Sequence, residues 1–124
     1  MNVKAWIVGK LLANTALVAA IGGQTHLLPQ HPGKVAAFPC LIYTEANAAD
    51  RHFADDAPLA TESVFTFDIY VSGGSTSAID DALHAVMIGL FYAREFSADV
   101  PDADLNVKHK NSRYRRTLCA EDLA

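Results

Sequence analysis

Lys108, Lys110, Arg113, Arg115 and Arg116 crowd the last segment of this sequence, with His109 among them. Asp50, Asp55, Asp56 and Glu62 cluster in the middle, opposed only by Arg51. The formal net charge is -4, so the rest of the chain is more acidic than the total. Asymmetry of this kind suits head-to-tail contact between identical subunits, or a basic stripe facing DNA. Solvated strand faces would leave the same pattern. The negative balance itself argues against a dedicated nucleic-acid binder.

Other residues could be drawn into chemistry and do not converge. Ser72-Gly73-Gly74-Ser75-Thr76-Ser77 stands between a strand and a helix, where a phosphate loop would stand, but lacks the Gly-x-x-x-x-Gly-Lys-Ser/Thr pattern. Asp80 and Asp81, in the first helical turn, would repel an anion. His52 with Asp55 and Asp56 could be drawn as a metal site, yet no second histidine stands at ligand spacing, and a solvated acidic loop explains them. His84 reads as a helix-surface or half-buried histidine. Cys40 and Cys119 carry no motif of a nucleophile or a zinc site, and nothing marks them as a pair. Asp68 interrupts the strongest strand on the face opposite its phenylalanines, where exposure or an interface partner explains it better than general-base catalysis. The sequence therefore points to no enzyme, no cofactor and no metal.

The elements that position these residues follow from periodicity. Val3–Ala13 reads as a helix with Val3, Ile7 and Leu11 on one row. Asn14 caps a second short helix, Thr15–Ile21, that Gly22 and Gly23 end. Residues 24–34 form a connection with a short strand at 25–28, and Phe38-Pro39 opens a strand at 40–45. Residues 47–61 read as a polar loop whose flanking strands could pair as a long hairpin. Val64–Val71 is the best strand, with Phe65, Phe67, Ile69 and Val71 on one face and Thr66, Asp68 and Tyr70 on the other. Ser77 with Asp80 resembles a capping box that starts a helix reaching about Arg94. Residues 96–104 read as irregular, and 106–119 as extended. The order α-α-β-β-β-α-β predicts one α+β domain over residues 1–124, a mostly antiparallel sheet with an N-terminal helical segment and one long helix packed on it. With 51% hydrophobic and 19% charged residues, the chain is globular rather than disordered. Met1 to Gly22 loosely resembles a signal peptide, but Lys10, Asn14 and Thr15 break the apolar run. Asn14, Gln24, Gln30 and two prolines likewise argue against a membrane span.

Several stretches together resemble a known family. Phe38-Pro39-Cys40-Leu41-Ile42-Tyr43 is similar to the Pro-aromatic-Ile-Val-Tyr strand of small tail-completion proteins of long-tailed bacteriophages and prophages, with Cys40 where an aromatic is usual. His52-Phe53-Ala54-Asp55-Asp56 resembles that family's Tyr-Ala-Asp-Asp-like stretch, and Phe67-Asp68-Ile69-Tyr70 its apolar-Asp-apolar-aromatic strand. Arg94 to Asp99, His109-Lys110 and Arg113-Tyr114-Arg115 are similar to its closing segment. The resemblance covers nearly the whole chain in order. It implies a tail-terminator-like α+β subunit of a homo-oligomeric ring, usually sixfold, assembled in the bacterial host cytoplasm and sited at the head–tail junction of the virion. Such a ring ends tail-tube growth, and its partners are the tail tube protein and the head connector or stopper protein, with DNA passing through the bore. Lys108, Lys110, Arg113, Arg115 and Arg116 would then be subunit-interface or DNA-facing residues, on a strand expected to be an edge. Asp50, Asp55 and Asp56 would form an acidic interface loop. A head-side connector stopper, or an adaptor touching DNA through the basic C-terminal segment, remains the alternative.

Overall fold

A computed structural model describes residues 2–29, 38–54, 57–101 and 106–123, with backbone alone at 48–54 and 57–59. The chain runs α1 (Val3–Ala13), α2 (Thr15–Ile21), a 3-10 turn (Gln24–His26), β1 (Leu27–Pro29), β2 (Cys40–Ala54), β3 (Ala57–Ser72), α3 (Ser77–Gly89), β4 (Ala93–Val100), β5 (Val107–Leu118) and a closing 3-10 turn (Ala120–Leu123). The five strands make one sheet in the order β1-β2-β3-β5-β4, antiparallel except for β1 beside β2. The fold is α+β, as the alternation of patterns predicts.

α1 and α2 form as read. Asn2 and Asn14 accept the backbone N–H of Ala5 and Leu17 at 3.0 and 2.8 Å, which satisfies donors that a helix start leaves open. Gly22 closes α2 at φ 90°, a left-handed conformation natural to glycine. α1 and α2 meet at 83°, and no single helix among the described residues is long and apolar enough to cross a membrane. Val3, Ile7 and Leu11 of α1, Leu17 and Ile21 of α2, and Ile79, Leu83 and Met87 of α3 bury one row each. They pack on Leu41, Phe65, Phe67, Ile69, Val71, Tyr114 and Leu118 of the sheet. Burying each large side chain contributes roughly 1.5–3 kcal/mol, so this face carries most of the stability. A smaller cluster of Cys40, Ile42 and Tyr70, with Leu28 and Val107, lies on the opposite face by the alternation of the register.

The structure departs from the expectations in several places. The described residues of the stretch 47–61 are strand rather than loop: β2 and β3 continue to pair through Ala54↔Ala57, after a bulge between Glu45 and Asn47. β5 stops pairing with β3 at Thr61↔Leu118, so the far part of the hairpin is a two-stranded ribbon. Residues 96–104 are not all irregular, because β4 runs to Val100 as an edge strand. It has no fully buried residue on either face, so no apolar alternation could announce it. β5 is not an edge, since β3 and β4 flank it.

α3 ends at Gly89 rather than near Arg94. Tyr92 N–H bonds to Met87 O at 3.0 Å and Phe91 N–H to Ile88 O at 2.9 Å. That is the Schellman closure, with Phe91 at φ 63° in the position glycine usually fills. A bulky side chain there costs roughly 1–2 kcal/mol. Nor does α3 begin with a capping box. Thr76 is its cap residue and makes no side-chain cap bond, while the Asp80 carboxylate turns to the sheet.

Candidate functional site

The basic segment on β5 is the feature that the charge pattern singles out, and alternation divides it between two faces. Lys108, Lys110 and Arg116 fall on the helix-covered side with Tyr114, and Arg113 and Arg115 on the other side with Asn111. It is not one continuous basic surface.

On the covered side the cations are held within the chain. Asp80, with only 9% of its side chain exposed, receives Arg94 Nη2 at 3.0 Å and Lys110 Nζ at 3.3 Å. Arg94 Nε donates to the Tyr114 hydroxyl at 3.0 Å, and that hydroxyl lies 3.0 Å from His84 Nδ1. Burial pushes the Tyr114 phenol above its usual range, with Arg94 pulling the other way. Tyr92 is raised by burial too, and it donates to Ser63 Oγ at 2.9 Å. Arg116 donates from Nη1 to Leu90 O at 2.6 Å, sits 3.0 Å from Asp122, and lies 5.5 Å above the Phe91 ring. These contacts tie α3, β4 and the C-terminal turn to β5. They are fold contacts. Lys108 is exposed and, with Gly74, Ser75, Asp99 and Val107, lines an open concavity at the start of α3.

On the other side, Arg115 bonds to both Glu62 and Glu95, its neighbours on β3 and β4. Arg113, two residues earlier, is exposed and has no bonded partner among the described residues. Asp68 accepts from His109 Nε2 at 2.7 Å and from Asn111 Nδ2 at 2.9 Å, and the Tyr70 ring stacks on His109 at 4.1 Å. The partner of Asp68 is thus in its own chain. An aspartate–histidine pair could orient a general base, but its neighbours here are an amide and an aromatic ring rather than a serine or a thiol. Asp50 lies in β2 opposite Thr61, and Asp55 and Asp56 lie outside the described residues.

Among the described residues, no group of three or more His, Cys, Asp or Glu could hold a metal ion. Cys40 is buried, which raises its thiol pKa, and Cys119 is exposed; both are free. Sequence reasoning missed Asp80 as a pivot. The available signal was an acid set between Ile79 and Leu83 on the apolar stripe of α3. It also missed Phe91, which is 79% exposed, because nothing in the local pattern marks a phenylalanine for a left-handed cap.

Three of the stretches that carry the family resemblance are paired with one another in the sheet. Cys40 to Tyr43 pairs residue by residue with Tyr70 to Phe67, and Phe67 to Tyr70 pairs in turn with Ser112 to His109. No family model and no curated protein matches the sequence. Among solved structures, a chain described as "Virion of native gene transfer agent (GTA) particle" is similar in fold, with a TM-score of 0.66 over 90% of both chains at 14% identity.

Proposed function

We propose that this chain is a structural, non-enzymatic virion protein, a tail-completion ring subunit that ends the tail tube and joins it to the head connector. The observation that carries the reading is the fold shared over 90% of both chains with a chain of a gene transfer agent virion. The ordered resemblance to tail-completion proteins points the same way, since its central stretches form one paired core of the sheet. The ribbon formed by the outer parts of β2 and β3 fits this reading. Two strands alone are marginal in water, and a neighbouring subunit would supply the surface they lack. Asp50, Asp55 and Asp56 are at that end of the hairpin in sequence, and Arg113, exposed and without a bonded partner among the described residues, is a cation that such an arm could meet.

The DNA-facing alternative is less well supported. Lys110, Arg115 and Arg116 already hold carboxylates, while Lys108 and Arg113, which hold none among the described residues, lie on opposite faces of the sheet. Removing the gene from its particle-producing strain tests the role. A tail-completion ring predicts heads unjoined to tails, and tubes of uncontrolled length. A head-side stopper predicts tails of normal length beside emptied heads. Intact particles in normal yield would contradict both.

A further inference from the structure

Phe91 stands in a left-handed backbone conformation that disfavours bulky residues, and its side chain is 79% exposed, so burial of the ring does not offset the strain. Strain of this kind persists where another requirement holds it in place. The neighbour that meets the ring is Arg116, whose guanidinium lies 5.5 Å from the ring centroid, within cation–π reach. The same guanidinium donates from Nη1 to Leu90 O at 2.6 Å, and the helix dipole favours a cation beside the last carbonyls of α3. From Nη2 it reaches Asp122 at 3.0 Å, in the closing turn Ala120–Leu123. One arginine of β5 thus joins the end of α3, the exposed ring and the C-terminal turn. The turn has little else to hold it. None of its residues is buried, although Leu123 packs against the core. The bonds from Cys119 N–H to Asp122 Oδ2 at 2.7 Å and from Asp122 N–H to Cys119 O at 3.1 Å are local to the turn. Among the described residues, Arg116 is the one side chain outside the turn that bonds to it. Leu118, just before it, is by contrast fully buried and paired with Thr61 in the ladder.

We propose that Arg116 is the latch of a C-terminal strap, and that Phe91 is kept in its disfavoured conformation as the seat of that latch. The ring and Leu90 O hold the guanidinium in place before Asp122 meets it, so the strap does not bear the entropy of ordering a long side chain. With the latch undone, the strap comes away from Cys119 onward and takes Leu123 off the core, while the sheet up to Leu118 stays folded. Segments held by few buried contacts open in this way as separate units. The strap does not depend on the ring-subunit reading.

The test follows amide hydrogen exchange residue by residue in the full chain, beside thermal unfolding. In the parent, the amides of Cys119 and Asp122 should exchange faster than those of Phe67 and Ile69 and respond little to low urea, because opening the strap exposes little surface. Phe91→Gly relieves the cap and removes the seat, so its two readouts should move in opposite directions. The thermal midpoint should rise, while the Cys119 and Asp122 amides exchange about two- to tenfold faster, the cost of ordering one freed side chain. Arg116→Gln should speed the same amides by about tenfold or more, because a charged bond is lost. Adding Phe91→Gly to that variant should speed them no further, since the ring then has no arginine to hold. Asp122→Asn leaves ring and arginine in place and should also speed them, which covers the case where loss of the arginine disrupts folding. A raised midpoint with parent exchange in the turn, or a lowered midpoint, would overturn the seat. Further acceleration in the double variant would do the same. Turn amides that exchange at the rate and urea dependence of the core would overturn the strap.

Discussion

On the helix-covered side of the sheet, Lys110 and Arg116 reach carboxylates at 3.3 and 3.0 Å, and Arg94 joins them through Asp80 and Tyr114. On the other side, Arg115 is held by two glutamates while Arg113 keeps no bonded partner among the described residues. The alternation of one strand therefore splits the same run of basic residues between two faces. On the covered side Lys110 and Arg116 clamp α3 and the last turn to β5 and contribute to folding. On the open side Arg115 is held by its strand neighbours, and Arg113 is the cation there without a bonded partner among the described residues. A cluster of like charges in a sequence says little until the strand's neighbours are known, because opposite acids can come from elements far along the chain.

Several substitutions would sharpen or break that contrast. Phe65→Ala, in the core beneath the helices, should destabilise the fold by about 3–5 kcal/mol in denaturant unfolding and abolish assembly with it. Asp80→Ala strips the shared acceptor from Arg94 and Lys110 on the covered side, and a loss of about 2–3 kcal/mol is expected. An unchanged unfolding midpoint would show that the clamp is not structural.

The covered side should also respond to alkali. Burial raises the Tyr92 and Tyr114 phenols in the folded chain, so their contribution is fully present below the unfolded value of about 10 and declines as pH rises through the folded values. Absorbance titration should show Tyr92 and Tyr114 ionising late, together with unfolding. Late ionisation without loss of structure would contradict this.

The smallest effects belong to the open side. Arg115→Glu sets three carboxylates together and should lower the thermal midpoint, whereas Arg113→Glu should leave stability within about 0.5 kcal/mol. If Arg113 meets a neighbour, that same silent variant should reduce the yield of joined particles. Equal effects of the two substitutions on the isolated chain would dissolve the distinction between them.

The parts of this architecture legible in the sequence are those where one face is apolar. Val3–Ile7–Leu11 and the alternation from Phe65 to Val71 declare a helix and a strand, and Asn14 and Gly22 mark ends with side-chain and backbone chemistry that acts locally. β4 was hidden because an edge strand without a buried face shows no period, and the far part of the hairpin because its composition matches that of a loop. The interior place of β5 was hidden for another reason. Its charges read as solvated or as edge protection, while the acids that neutralise them come from β3, α3, β4 and the last turn. Phe91 has no local signature at all, since it occupies a glycine position against its own preference.

Whether this chain is a ring subunit at the junction of head and tail can be read by cryo-electron microscopy of the particle neck. Density for this fold is expected there, repeated in a closed symmetric ring at the head-proximal end of the tail tube. Its absence from the neck, or its presence there as a single asymmetric copy, would contradict it.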